Sequence, residues 1–197
     1  GRLWWKSVDR AYANEMYRPF HVRTQLDHGS GAQTLRLTID DERWHGRRWS
    51  PLIPDHGKLM HLFLVRDGGM DAFAHLHPVM RDSSRFASAL PPLPAGLYRV
   101  YGDIVHESGF AQTVTDSVRI AELAPPAAAW AGTDADDSWF QGTIATDASG
   151  SVRCAFADGA TLVWERGTAP LRERAEAPLH FRVLAPDGSP ARIDPFL

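Results

Sequence analysis

The stretch Pro94-Ala95-Gly96-Leu97-Tyr98-Arg99-Val100 joins a turn to an alternating run of strand-forming residues. Its Gly-x-Tyr pattern matches the opening of the sixth strand in immunoglobulin-like sandwiches, where the tyrosine hydroxyl ties the corner to a nearby backbone group. Tyr98 is therefore the tyrosine-corner candidate. Working outward, short runs separated by turn residues predict strands at 19–27, 33–40, 59–66, 71–77, 85–90, 97–105 and 111–120. With turns such as Asp27-His28-Gly29-Ser30-Gly31 and Asp67-Gly68-Gly69 between them, these predict an all-β, seven-stranded immunoglobulin-like antiparallel sandwich over residues 19–120.

The flanks read differently. Residues 1–18 carry Leu3, Trp4, Trp5, Val8, Tyr12 and Tyr17 among Lys6 and Arg10 on a helical spacing, which predicts a short amphipathic helix. Aromatic and basic residues mixed in this way suit a bilayer interface, although such a helix can equally pack on its own domain. Residues 121–138 are rich in Ala, Pro and Asp without strand alternation and read as a linker. A second unit over 139–197 has candidate strands at 151–157, 160–166 and 179–185, with a hairpin turn at Ala157-Asp158-Gly159-Ala160. Leu179-His180-Phe181-Arg182-Val183 followed by Asp194-Pro195-Phe196-Leu197 weakly repeats Leu35-Arg36-Leu37-Thr38-Ile39 followed by Ser50-Pro51-Leu52-Ile53. Such a unit lacks an opposing sheet, so it is expected to be incomplete, with the natural protein continuing or the unit leaning on another surface.

Composition narrows the function classes. The chain has 197 residues, 44% hydrophobic, and its 21 basic residues against 24 acidic ones leave a net charge of −3, which argues against phosphate-backbone binding. Two lysines and one asparagine beside many Arg, Ala and Gly match the bias of GC-rich bacterial genomes. The single Cys154 excludes a disulfide framework and multi-cysteine metal sites, so any metal must rest on other ligands. Nine histidines are present, and His56, His61, His75, His77 and His106 lie between positions 56 and 106.

In a strand, residues two apart share a face, so His75-Leu76-His77 sets two imidazoles on one side. A three-residue turn with Gly69 left-handed would pair His61 with His75; a turn one residue longer would set Met60 beside His77. His106 and His56 are the further candidate ligands. Imidazole suits copper and zinc, and a thioether from Met60, Met70 or Met80 would favour copper, Cu(I) above all, so copper is preferred over zinc. The competing reading is that these histidines are half-buried and hydrogen-bonded to loop carbonyls.

His21, His28, His45 and His180 are scattered and read as surface or structural. In the loop Glu42-Arg43-Trp44-His45-Gly46-Arg47-Arg48-Trp49, Trp and Arg are the residue types that dominate interfaces. Trp4, Trp5, Trp44, Arg47, Arg48 and Trp49 are accordingly the candidate partner-binding residues, with a solvated Arg face and one inward Trp as the plainer alternative.

The segment from Pro54-Asp55-His56-Gly57 through His61-Leu62-Phe63-Leu64-Val65-Arg66, then Phe73-Ala74-His75-Leu76-His77-Pro78 and Pro94-Ala95-Gly96-Leu97-Tyr98, resembles a family of bacterial membrane-anchored, periplasm-facing β-sandwich proteins of largely unassigned function. The resemblance covers roughly residues 4–197 and is strongest between 54 and 106. It implies a soluble part that follows membrane segments, a copper or other metal role, and a second histidine hairpin after a segment like Pro195-Phe196-Leu197, before which this chain ends.

No nucleotide loop, haem motif, Gly-x-Ser-x-Gly elbow or His-Glu-x-x-His helix is present, so no motif supports an enzyme. The expectation is a non-enzymatic, membrane-associated module of the bacterial periplasm, at the inner membrane, that binds a transition metal. The alternative is an accessory subunit docked on a larger membrane complex, respiratory or photosynthetic. Nucleic acid is not an expected partner.

Overall fold

In a computed structural model the described residues are 2–16, 18–28, 33–45, 52–122, 130–156 and 158–193. The chain divides into two compact units, Gly1–Phe140 and Gln141–Leu197.

The first unit opens with helix α1 (Arg2–Met16), followed by β1 (Val22–His28), β2 (Gln33–Ile39), the single turn α2 (Glu42–His45) and β3 (Leu52–Ile53). Then come β4 (His61–Arg66), β5 (Ala72–Leu76), β6 (Val79–Met80), β7 (Arg85–Ala89), β8 (Gly96–His106), β9 (Ala111–Ile120) and β10 (Ser138–Gln141). One sheet has the order β1-β2-β7-β6, and the other runs β10-β5-β4-β8-β3 with β9 also paired to β8. Neighbouring strands pair antiparallel, as β2 does with β7 and β8 with β9. All seven predicted strands are present, and the added β3, β6 and β10 are short edge pieces. The first, second and fifth predicted strands share one sheet and the other four share the second, which is the immunoglobulin-like partition.

Alternation explains the core. Leu35, Leu37 and Ile39 of β2 and Phe86 of β7 face Leu62 and Leu64 of β4, Leu76 of β5, and Tyr98, Val100 and Ile104 of β8 across one apolar cluster. Tyr98 is fully buried, and its hydroxyl donates to the Pro94 carbonyl at 2.8 Å, the corner that the Gly-x-Tyr pattern predicts. Burial pushes the Tyr98 phenol up to about 12. A Cβ on Gly96 would meet Arg66 Nε at 2.9 Å, so a larger residue there would have to displace the Arg66 side chain. Replacing Tyr98 with Phe leaves the Pro94 carbonyl without its partner and is expected to cost about 1–3 kcal/mol in urea unfolding; an unchanged midpoint would remove the corner from the stabilising contacts.

The hairpin between β4 and β5 takes neither of the two expected registers. Phe63 pairs with His75 and Val65 with Phe73 across a loop over residues 67–71, with left-handed backbone at Gly68 and Met70 instead of Gly69. Contacts with the chain at the start of β8, and one pair across the loop itself, accompany the longer loop. Asp67 N donates to Leu97 O, extending the ladder with β8, while the Arg66 guanidinium pairs with Asp71 at 3.1 Å and donates to Ala95 O at 2.9 Å. The shift from the first expected register is two residues, so every side chain keeps its face.

The predicted linker is structured where it is described. Trp130 packs against the core, Thr133 Oγ1 accepts the Ala89 N–H at 2.6 Å, and β10 adds to the sheet edge beside β5. The first unit therefore runs past position 120, to Phe140.

Trp44 corrects its expected partner role. It is 4% exposed, meets Phe20 edge-on with centroids 5.4 Å apart, and donates its indole N–H to Ser83 O at 2.7 Å. Arg43 holds this corner from outside: it bonds Asp41 through its backbone and guanidinium, reaches Arg18 O and Pro19 O, and lies over the Phe20 ring. The same bonds hold the Asp41 carboxyl well below the usual carboxylate range. Arg47, Arg48 and Trp49 lie outside the described residues. Trp4 and Trp5 are each 61% exposed on α1. No helix among the described residues is long and apolar enough to cross a bilayer.

The second unit is one antiparallel sheet in the order β11 (Ile144–Thr146), β12 (Val152–Ala155), β13 (Thr161–Trp164), β14 (Phe181–Leu184). Val163 is its single fully buried apolar side chain among the described residues, and Leu171, Leu179, Phe181 and Ile193 are exposed. A lone sheet of this kind buries little apolar surface.

Candidate metal centre

Because β4 and β5 turn Leu62, Leu64, Ala72, Ala74 and Leu76 into the core, the intervening His61, Phe63, Val65, Phe73, His75 and His77 face the other way. Carried one step past Leu62↔Leu76, the register sets His61 opposite His77 and diagonal to His75. The three rings converge: centroids are 5.0 Å apart for His61 and His77, 5.5 Å for His61 and His75, and 4.5 Å for His75 and His77. One ring nitrogen from each lies within 4.8 Å of the others, and His61 Nδ1 is 3.2 Å from His75 Nε2. Two nitrogens each about 2.0–2.1 Å from one tetrahedral ion lie about 3.3–3.4 Å apart, so small ring rotations close the set.

Each ring is held from behind. His61 Nε2 sits 3.1 Å from the Asp55 carbonyl oxygen, which can only accept, so Nε2 carries the proton and Nδ1 presents its lone pair toward His75. His75 stacks on Phe63 at 4.5 Å, nearly parallel. Burial, followed by the charges of His77 and His61, pulls the His75 imidazole below its ordinary value, so near neutral pH it is an uncharged donor. His77 is 5% exposed, and Asp137 Oδ1 lies 3.1 Å from its Nδ1 while accepting its backbone N–H at 2.6 Å. Nε2 is thereby left to face the other two rings. This is the carboxylate–histidine arrangement that fixes tautomer and orientation at metal sites.

Asp137 is the residue that sequence reasoning missed, because it lies in the stretch read as a linker. Its side chain is fully buried, and its second oxygen accepts the Asp134 N–H at 3.0 Å. The turn is tied down by Lys58, whose ammonium bonds Asp134 at 2.5 Å and lies 3.2 Å from Asp136. That pairing raises the Lys58 amine and lowers the Asp134 carboxyl. The available signal was thin: three aspartates within four positions, Asp134, Asp136 and Asp137.

The other predicted ligands divide. His56 lies beside the cluster in an exposed turn, its ring 6.3 Å from that of His61, and Asp55, His56 and His61 form a second convergent group. Met60 and His106 are not brought to the three rings. Met60 shares the inward parity of Leu62 and Leu64 and is buried among them. His106 shares the inward parity of Tyr98 and Ile104, beside Phe20 and Phe110. Alternation along β4 and β8, extended by one residue each, carried that information.

No curated protein matches this chain and no solved structure does. A family model described as a domain of unknown function (DUF8832) matches residues 20–122, which contain β1 through β9 and all three converging histidines but stop short of Asp137. Covering just over half of the chain, that match makes the protein a member of the family described as a domain of unknown function (DUF8832).

Proposed function

We propose that the sandwich is a non-enzymatic metal-binding module that holds one transition-metal ion on His61, His75 and His77, with Asp137 as the positioning residue for His77. The convergence of three ring nitrogens within 4.8 Å carries the reading. The all-nitrogen donor set supports copper over zinc, because Cu²⁺ stands above Zn²⁺ in the affinity order for imidazole sites. With Met60 committed to the core, the thioether argument for Cu(I) loses that donor, and Cu(II) becomes the preferred state. Titration of the purified chain with Cu(II), Cu(I) and Zn(II) is expected to reveal a tight equivalent, tightest for Cu(II). It should weaken by more than about 100-fold in His75→Ala/His77→Ala, with circular dichroism confirming that the sheet persists. No stoichiometric binding, or equal binding by the double variant, overturns the proposal.

A second reading concerns setting: association with an anionic bilayer surface, as at the bacterial inner membrane on its periplasmic side. Exposed Leu3, Trp4, Trp5 and Val8 on α1 support it, together with Arg2, Lys6 and Arg10 spaced four residues apart along one stripe. Co-sedimentation with phosphatidylglycerol vesicles is expected, reduced in phosphatidylcholine vesicles and several-fold weaker in Trp4→Ala/Trp5→Ala. Equal recovery with and without vesicles refutes the bilayer reading and leaves α1 to a protein partner, the docked accessory subunit.

A further inference from the structure

The two nitrogens of His61 face different donor sets. Nδ1 faces His75, while Nε2 faces the turn at Asp55, whose carbonyl oxygen lies 3.1 Å away. The turn is built to present side chains outward. Asp55 and Lys58 exchange both backbone hydrogen bonds, and the two residues between them, His56 (φ +48°) and Gly57 (φ +80°), are both left-handed. Such two-residue turns favour Asn-Gly or Gly-Gly, and histidine is among the non-glycine residues that take up φ > 0 most readily. The turn sets an imidazole 86% exposed, with Nδ1 3.2 Å from the Asp55 carboxylate. Asp55, His56 and His61 each offer a ligand atom within 4.8 Å of the others.

We infer that a second transition-metal ion, of the same imidazole-preferring class, binds at Asp55 and His56 and shares His61 with the first ion as a bridging ligand. The inference rests on the metal reading of His61, His75 and His77. With one ion bound at the triad, His61 Nε2 keeps its proton on the Asp55 carbonyl. Binding of the second ion replaces that proton, which leaves to solvent, and the ring becomes an imidazolate joined to one ion through each nitrogen. The metals do not change oxidation state. The exposed set, with an Asp carboxylate and a solvated His, is the weaker site and fills second.

Cu(II) itself is the probe, followed by equilibrium dialysis and integrated electron paramagnetic resonance on the full chain. The expected result is two equivalents bound, with signal intensity that rises through the first and falls through the second as the bridged spins couple. His56→Gly keeps the left-handed turn and removes the outer imidazole; it should bind one equivalent at full intensity. Two equivalents with additive intensity overturn the bridge, since the ions are then independent. One equivalent in both proteins overturns the second site while leaving the first. No binding in either overturns both.

Discussion

Asp137→Ala is expected to weaken Cu(II) binding at His61, His75 and His77 by about 10–100-fold without removing a ligand, the usual consequence of deleting the carboxylate behind a metal-bound imidazole. Asp137 Oδ1 meets both the backbone N–H and Nδ1 of His77, so it sets the position of the strand end and the rotation of the ring together. Without it, Nδ1 is free to exchange roles with Nε2, and the ring loses the restraint that aims it at His61 and His75. Three N–H groups also lose a buried acceptor, those of His77 backbone, His77 ring and Asp134 backbone. The metal-free protein should therefore lose on the order of 3 kcal/mol in urea unfolding. Asp137→Asn separates the effects, because the amide keeps the shape and one acceptor oxygen but removes the charge that favours a metal-bound ring. It should recover part of the stability and little of the affinity. Wild-type affinity in both variants would mean that His77 is oriented by other contacts.

Trp44→Ala is expected to cost about 3–5 kcal/mol, the range for emptying a large aromatic site in a packed core. The indole closes the end of the sandwich against Phe20, and its N–H serves the Ser83 carbonyl, so the variant leaves both a cavity and an unpartnered buried acceptor. The Phe20 ring, which Arg43 covers, would lose its edge-on contact with the indole. The readout is the urea midpoint of the first unit, set beside Trp4→Ala/Trp5→Ala, which should leave it unchanged because both side chains are exposed. A stable Trp44→Ala protein would return Trp44 to the interface residues.

These two residues mark where sequence reading and structure part. Trp44 and Trp49 stand in one Trp/Arg-rich segment with similar neighbours, and composition treats them alike. Burial of Trp44 depends on Phe20 and Ser83, respectively twenty-four and thirty-nine positions away, which no local pattern encodes. Asp137 was hidden for the opposite reason. Its stretch has neither helical nor strand periodicity, because Thr133, Asp134 and Asp137 are held through their side chains to Ala89, Lys58 and His77 instead of by a ladder. Strands, by contrast, announce themselves through alternation: β2 and β5 bury every second residue, and β4, β8 and β9 do so except at Arg66, Gly96 and Asp116.

By itself the sequence determined the all-β class, the seven main strands, the tyrosine corner and the shared face of His75 and His77. All of these rest on period-two alternation and on local turn chemistry, which act within a few residues. Tertiary structure decided the hairpin register, through the Asp67–Leu97 and Arg66–Ala95 hydrogen bonds. It also brought Asp137 to His77 across sixty positions of chain. The physical reason is common to each: a face is chosen by the alternation of a single strand, whereas a partner is chosen by which distant group the packed sheets leave within hydrogen-bond reach.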